Sequence, residues 1–338
     1  MRTAELLVGF ESALAFWRAS RAGELDLDEM HVYGRARWSS QEIVERTLQA
    51  CHIDEPLDVV VGTRESRRFR KGVRNHVWHG PDVSVAHLDR INGVEVCSVP
   101  AVLLQLASTK LDDLDILAIA YELTGSYGVT PWSEYSCIYG TEPITTTEEL
   151  AGYAMAARAI GSRGAARVLR LLPFVRERSA SPRETDLAVL FALPRVRGGF
   201  GIGGFELNKE VELLGRSSAL LGRSSIRADF LWRGRGRNRD VMAEYESNEW
   251  HLTNRAIDRD SRRRMALASS DFTVHCITNE QLLDSDHLLT LAEEIASELG
   301  IRRRAPSRRM LRAYANVHDR IAFGSGIGLK EGRSREFR

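Results

Sequence analysis

Arg227-Ala-Asp-Phe-Leu-Trp232, then after a short basic gap Ala243-Glu-Tyr-Glu246 and Trp250-His251, is the most informative part of this 338-residue chain. The first two pieces read as short alternating strands that carry carboxylates. Glu244 and Glu246 lie two residues apart and so share a face of their strand. Asp229 joins them only if it points to the same side of the sheet. Such a pattern suits a divalent cation. Hard cations such as Mg²⁺ take oxygen ligands and keep several waters, so two or three acidic groups suffice. A metal held in this way lowers the pKa of bound water and offsets charge building on a phosphate, which is the chemistry of phosphodiester cleavage. Ordinary solvent-facing strand carboxylates would give the same spacing.

Upstream, Ser181-Pro-Arg-Glu184 opens a helix, with Ser as N-cap, Pro at the first helical position and Glu at the third. The helix is expected to run to about Leu193 and to stop at Pro194. A Gly-rich turn follows, then strands near 205–213, 226–232 and 240–246, and an Arg-rich helix over about 255–269. Asp271 to Thr278 reads as a strand and 279–299 as a final amphipathic helix. Three successive strands suit hairpin pairing, and a strand–helix–strand step suits a parallel crossover. The expected fold class is therefore α/β (α+β): a C-terminal mixed sheet flanked by helices, after a mainly helical N-terminal region with a small sheet.

In that N-terminal region, Leu6, Leu7, Phe10, Leu14 and Trp17 recur at helical spacing over 3–20. Ser39 and Glu42 form a capping box before Ile43, Val44 and Leu48. Leu57 to Val61 and Val94 to Cys97 read as strands, separated by a basic stretch from Arg64 to Arg74. Pro100 stands at the head of an apolar helix, a further helical run covers Leu114 to Leu123, and Thr146 to Val175 is helical with a break near Gly161.

Composition bounds the function class. The four cysteines, Cys51, Cys97, Cys137 and Cys276, are far apart, which offers neither a zinc site nor a disulfide framework. No run of eighteen apolar residues occurs, so no membrane partner is expected, and the N-terminus lacks a signal-peptide layout. A cytoplasmic protein is the expectation. Net charge is only +1, yet residues 301–338 hold ten Arg and one Lys against Asp319, Glu331 and Glu336, a local balance of +8. A basic tail on an acidic body points to a polyanion partner, or to a flexible, solvated tail.

Glu184, Arg227-Ala-Asp-Phe230, Glu244-Tyr-Glu246, His251, Asp260 with Arg262, Arg263 and Arg264, and Ile277-Thr278, taken in this order, resemble the restriction-endonuclease-like fold. Its family signature is written PD-(D/E)XK. The set is more closely similar to the branch related to very-short-patch-repair endonucleases, which includes a large bacterial family of unknown function. The resemblance covers about 180–285. Phe10-Glu-Ser-Ala13, Arg70-Lys71-Gly-Val-Arg-Asn-His76 and Gly93-Val-Glu-Val-Cys-Ser-Val-Pro100 are similar to AbiEi-type antitoxin and abortive-infection regulators. Glu246-Ser247 stands where nuclease relatives show Asp-Gly. No Lys occurs between 210 and 329, leaving Lys209 as the one nearby substitute for the lysine of the signature.

The resemblance implies a Mg²⁺- or Mn²⁺-dependent DNA endonuclease of repair or phage defence, with Asp229 and Glu244 as metal ligands and Glu246 as a third ligand or a group that positions water. Glu184 would hold metal or position water, although its capping box with Ser181 explains it as well. His251 would act as general acid or base, or stands as a packed or surface histidine. Asp260 pairs with Arg264 on its helix. The alternative is a non-catalytic, antitoxin-like DNA-binding regulator that keeps the nuclease fold, as in a type IV toxin–antitoxin system with a toxin or defence protein as partner. The expected divisions are 1–175 as regulator-like region, 176–300 as nuclease-like domain and 301–338 as basic tail. Gly199-Phe-Gly-Ile-Gly-Gly204 matches a dinucleotide-binding pattern, but a helix precedes it and a strand follows, the reverse of what that site needs.

Overall fold

The computed structural model describes residues 6–25, 40–81 apart from 51, 54 and 68, 94–213 apart from 134 and 135, 215–246 apart from 235–237, and 272–323. The chain divides between Pro173 and Phe174 into two compact units. It is a mixed α/β protein with helices and mixed sheets. No helix among the described residues is long and apolar enough to cross a membrane.

The first unit is built on a four-stranded sheet in the order β3-β2-β1-β4, from β1 (Leu6–Val8), β2 (Leu57–Val61), β3 (Val73–Val77) and β4 (Val94–Val96). β1 pairs antiparallel with β2 and parallel with β4, and β2 pairs parallel with β3. Its helices among the described residues are α1 (Phe10–Arg21), α2 (Ser40–Ala50), α3 (Val99–Ala107), α4 (Asp113–Thr124), α5 (Thr147–Ala159) and α6 (Ala165–Leu171). A small hairpin joins β5 (Tyr127–Val129) to β6 (Cys137–Tyr139). Arg18 of α1 grips Glu122 of α4 with two hydrogen bonds, Nε to Oε1 at 2.8 Å and Nη2 to Oε2 at 2.6 Å. The pairing compensates both buried charges with the planar fork of a guanidinium.

Two expectations for this unit are corrected. Leu6 and Leu7 are not helical: they form β1, and the helix starts only at Phe10. Parallel pairing with β4 outweighs a helical period that runs through both segments. Within the basic stretch Arg64–Arg74 a strand begins at Val73, because the polar residues of β3 sit at the sheet edge beside β2. The Ser39 cap lies outside the described residues.

The second unit opens with α7 (Pro182–Ala192), started by Ser181 as N-cap. A 3-10 turn at Arg195–Arg197 leads to β7 (Phe205–Glu212), a short helix α8 (Arg216–Leu221), β8 (Ser225–Trp232) and β9 (Asp240–Glu246). β10 (Phe272–Thr278) follows, and the sheet order is β10-β9-β8-β7. β7, β8 and β9 are antiparallel neighbours, while β10 runs parallel to β9. The expected helix over 255–269 lies outside the described residues.

Phe191 of α7 fastens helix to sheet, its ring 5.3 Å from Phe230 and 5.1 Å from Trp232, both edge-on. Phe191, Phe230 and Trp232 are each fully buried. Edge-to-face contact suits the ring quadrupoles and fixes where α7 lies on the strands.

The final helix expected over 279–299 is two helices, α9 (Asn279–Leu283) and α10 (Ser285–Glu298), because Asp284 leaves the helical conformation to cap α10. The tail is also corrected. Its part Arg308–Phe323 is a helix, α11, rather than a flexible, solvated segment. Tyr314, Val317, His318 and Ile321 are buried at i, i+3, i+4 and i+7, so a narrow stripe docks a helix that opens with Arg308, Arg309 and Arg312. Gly198 permits the docking. Its φ is 90°, and a Cβ there would stand 2.4 Å from the Ala313 carbonyl of α11.

Candidate functional site

Glu184 sits in the first turn of α7 because Ser181 begins the helix, its Oγ accepting from the Glu184 amide at 3.1 Å. The same hydroxyl donates to Glu184 Oε1 at 3.1 Å, and the Ala180 amide donates to Oε2 at 3.0 Å. A third donor comes from the sheet: Asn208 Nδ2 of β7 reaches Glu184 Oε2 at 2.6 Å and the Arg178 carbonyl at 2.9 Å. Glu184 is only 8% exposed. Burial, and then the charge of Asp229, push its carboxyl up to about 7, against the hydrogen bonds that favour the ionised form.

Asn208 takes this position with a left-handed backbone, φ 48°. The β7–β8 ladder pairs Leu207 with Phe230 and Lys209 with Ala228, so Asn208 stands across from Asp229. Asp229 is in turn at the point where β8 and β9 part. The ladder holds Trp232 to Val241, Leu231 to Met242 and Phe230 to Ala243. The next positions along are Asp229 and Glu244. There the Asp229 side chain takes over, its Oδ2 accepting from the Tyr245 amide at 2.9 Å. Glu244 is 7% exposed, and it is held between β8 and β10, where its register partner is Cys276.

Three acidic residues from α7, β8 and β9 are thus drawn toward one end of the sheet. Glu184 and Asp229 feel each other's charge, and Asp229 and Glu244 occupy neighbouring strand positions. Glu246 lies at the end of β9, only partly buried, across from Thr278 of β10. Among the described residues no group of three or more His, Cys, Asp or Glu side chains is gathered closely enough to hold a metal ion between them. Lys209 is engaged by Glu206 of its own strand, Nζ to Oε2 at 2.9 Å. His251, Asp260 and Arg262 to Arg264 lie outside the described residues.

Asn208 and the Tyr245 amide, which hold Glu184 and Asp229, are not foreseen in the sequence. Asparagine in the middle of an alternating strand pattern is the one signal present, since it is depleted in strands and tolerates positive φ. A main-chain donor leaves no trace in a sequence.

The donor set fits a hard cation. All the candidate ligands are carboxylate oxygens, and Mg²⁺ needs only one or two of them alongside waters. The repulsion that Glu184 feels from Asp229 is also what a bound cation would offset. No family model, curated protein or solved structure matches the chain.

Proposed function

We propose that the second unit is a restriction-endonuclease-like domain that hydrolyses phosphodiester bonds of DNA with Mg²⁺ or Mn²⁺, in the repair or phage-defence chemistry of a bacterial cytoplasm. One observation carries the reading: a helix–three-strand–strand frame with a parallel last strand brings Glu184, Asp229 and Glu244 to the place where β8 and β9 part. Asp229 and Glu244 would hold the cation, and Glu246, two residues on along β9, would position water. The cation supplies a more acidic bound water and a counter-charge for the phosphate.

The chain's own residues set the protonation and position of the site. The Tyr245 amide fixes one oxygen of Asp229. Ser181, Ala180 and Asn208 fix both oxygens of Glu184. A carboxyl poised near neutrality can accept a proton from an attacking water and release it again. His251 would protonate the leaving oxygen.

A second reading, the non-catalytic DNA-binding regulator, is favoured by two observations. The chain has no lysine at the signature position on β9, and Lys209 is occupied by Glu206. Labelled linear and supercoiled DNA incubated with Mg²⁺, Mn²⁺ or EDTA separates the two. The nuclease reading expects metal-dependent cutting that Asp229→Ala and Glu244→Ala each abolish. Cutting that survives both substitutions, or DNA shifted but never cut, defeats it.

A further inference from the structure

We propose that residues 301–312, at the start of α11, form a preformed docking surface for the sugar-phosphate backbone of duplex DNA, separate from the carboxylate site. The choice of DNA as the polyanion rests on the reading of the second unit as DNA-acting. The surface itself rests on three observations.

The first is charge. Residues 301–312 contain six arginines and no acidic residue. Arg302, Arg304, Arg308, Arg309 and Arg312 are all exposed.

The second is a cation excess beneath that surface. Arg303 Nη1 and Arg195 Nη2 share a single oxygen, Glu293 Oε1, at 3.5 and 3.7 Å. The Arg303 side chain is only 9% exposed, and its Nη2 is buried without an acceptor. Two guanidinium groups therefore share one carboxylate, that of Glu293, which is itself half exposed, so cations outnumber acids at this point of the surface. Burial pulls the Arg303 guanidinium below its ordinary range; Glu293 opposes this and Arg195 adds to it.

The third is the sign of charge at the helix start. Ser307 begins α11, its Oγ accepting from the Met310 amide at 3.3 Å. The first turn then carries Arg308 and Arg309 and no acid. Cations at a helix N-terminus oppose the macrodipole, an arrangement that costs stability in the free protein and is relieved when an anion arrives.

The segment is also held in place. Arg195 Nη1 donates to the Arg304 carbonyl at 2.8 Å, just past the C-terminal end of α7. At the other end of α7, Arg183 Nη1 donates to the Ile321 carbonyl of α11. α11 thus runs back along α7, and its arginine end lies about one length of α7 away from Glu184. Eleven residues at 1.5 Å each make that about 16 Å. This corresponds to roughly five base pairs at 3.4 Å per step along one strand.

The test uses the full chain in EDTA, so that binding is read without cutting. Anisotropy of a fluorescent 20-base-pair duplex is followed across a salt series for the wild type, for Arg308→Gln/Arg309→Gln/Arg312→Gln and for Arg303→Gln. The triple variant removes exposed cations from the wrong end of a helix dipole, so its melting temperature is expected to hold or rise. Its affinity for the duplex is expected to fall at least tenfold at low salt. The slope of log K against log salt is expected to fall by about 2 to 3, close to 0.9 for each phosphate that the variant no longer neutralises.

An unchanged slope and affinity in the triple variant overturns the proposal, as does a wild type that does not bind duplex. Equal competition by polyglutamate and by duplex also overturns it, pointing to an acidic protein partner. The nuclease reading fails separately: a triple variant that loses binding, beside a wild type that never cuts with metal, upholds the docking surface and removes the activity.

Discussion

Glu184 is a buried acid of the second unit, and its behaviour with pH is a direct consequence of its surroundings. Its folded-state carboxyl is raised from the ordinary 4.5 to about 7, first by burial and then by Asp229. The folded protein therefore binds more protons than the unfolded chain between those values. The stability tied to this group is fully present below about 4.5, declines as pH rises through 7, and stays lost above it. Chemical denaturation of the wild type and Glu184→Gln across pH 4.5 to 8.5 checks this: the wild type should lose stability relative to the variant as pH rises. Asn208 should matter through the same carboxylate. Asn208→Ala removes a donor 2.6 Å from Glu184 Oε2 and should cost about 1–3 kcal/mol at pH 8, where the carboxylate is charged, and less at pH 5. Asn208→Gly, which removes the same donor and relieves the positive φ, separates the hydrogen bond from backbone strain.

At the scale of elements, α7 is both the support of Glu184 and the lid on the aromatic face of the sheet. Truncating its buried anchor, Phe191→Ala, should cost about 3–5 kcal/mol in equilibrium unfolding, the range for a large aromatic removed from a packed core. Ser181→Ala should cost only about 1 kcal/mol through the missing cap, yet it also withdraws a donor from Glu184 Oε1. Much of this frame was legible in the sequence. Alternation over Phe205–Glu212 and Ser225–Trp232, and Ser181 as N-cap of α7, need nothing beyond local chemistry, whereas Glu184 does not return the bond of a capping box and accepts from the Ala180 amide and the Ser181 hydroxyl instead. Other parts were not legible. β1 has three residues, and only β2 and β4 on either side make it a strand. α11 hides its apolar stripe among arginines, so composition points to solvent while spacing points to a docked helix. The carboxylate site depends on where β8 and β9 part, a property of two strands together that neither displays alone.

For the whole molecule, the division between Pro173 and Phe174 means that each unit has its own core and its own sheet. A cation held by Asp229 and Glu244, as proposed, would stabilise the unit that contains them by mass action on its folding equilibrium. Hydrogen exchange with and without Mg²⁺ should accordingly show added protection within the described part of residues 174–323 and little change in α1 to α6. Uniform protection across both units would contradict that separation.

The most direct measurement is a calorimetric titration of the full chain with Mg²⁺ and Mn²⁺ at pH 6 and pH 8, for the wild type, Asp229→Ala and Glu184→Gln. Glu184 is mostly protonated at pH 6 and mostly ionised at pH 8. The site should therefore bind more tightly at pH 8, by up to about tenfold, with protons released to the buffer. Binding should be lost in Asp229→Ala, and its pH dependence should flatten in Glu184→Gln. No binding by the wild type, or binding that Asp229→Ala leaves unchanged, would contradict the assignment of these carboxylates to a metal site.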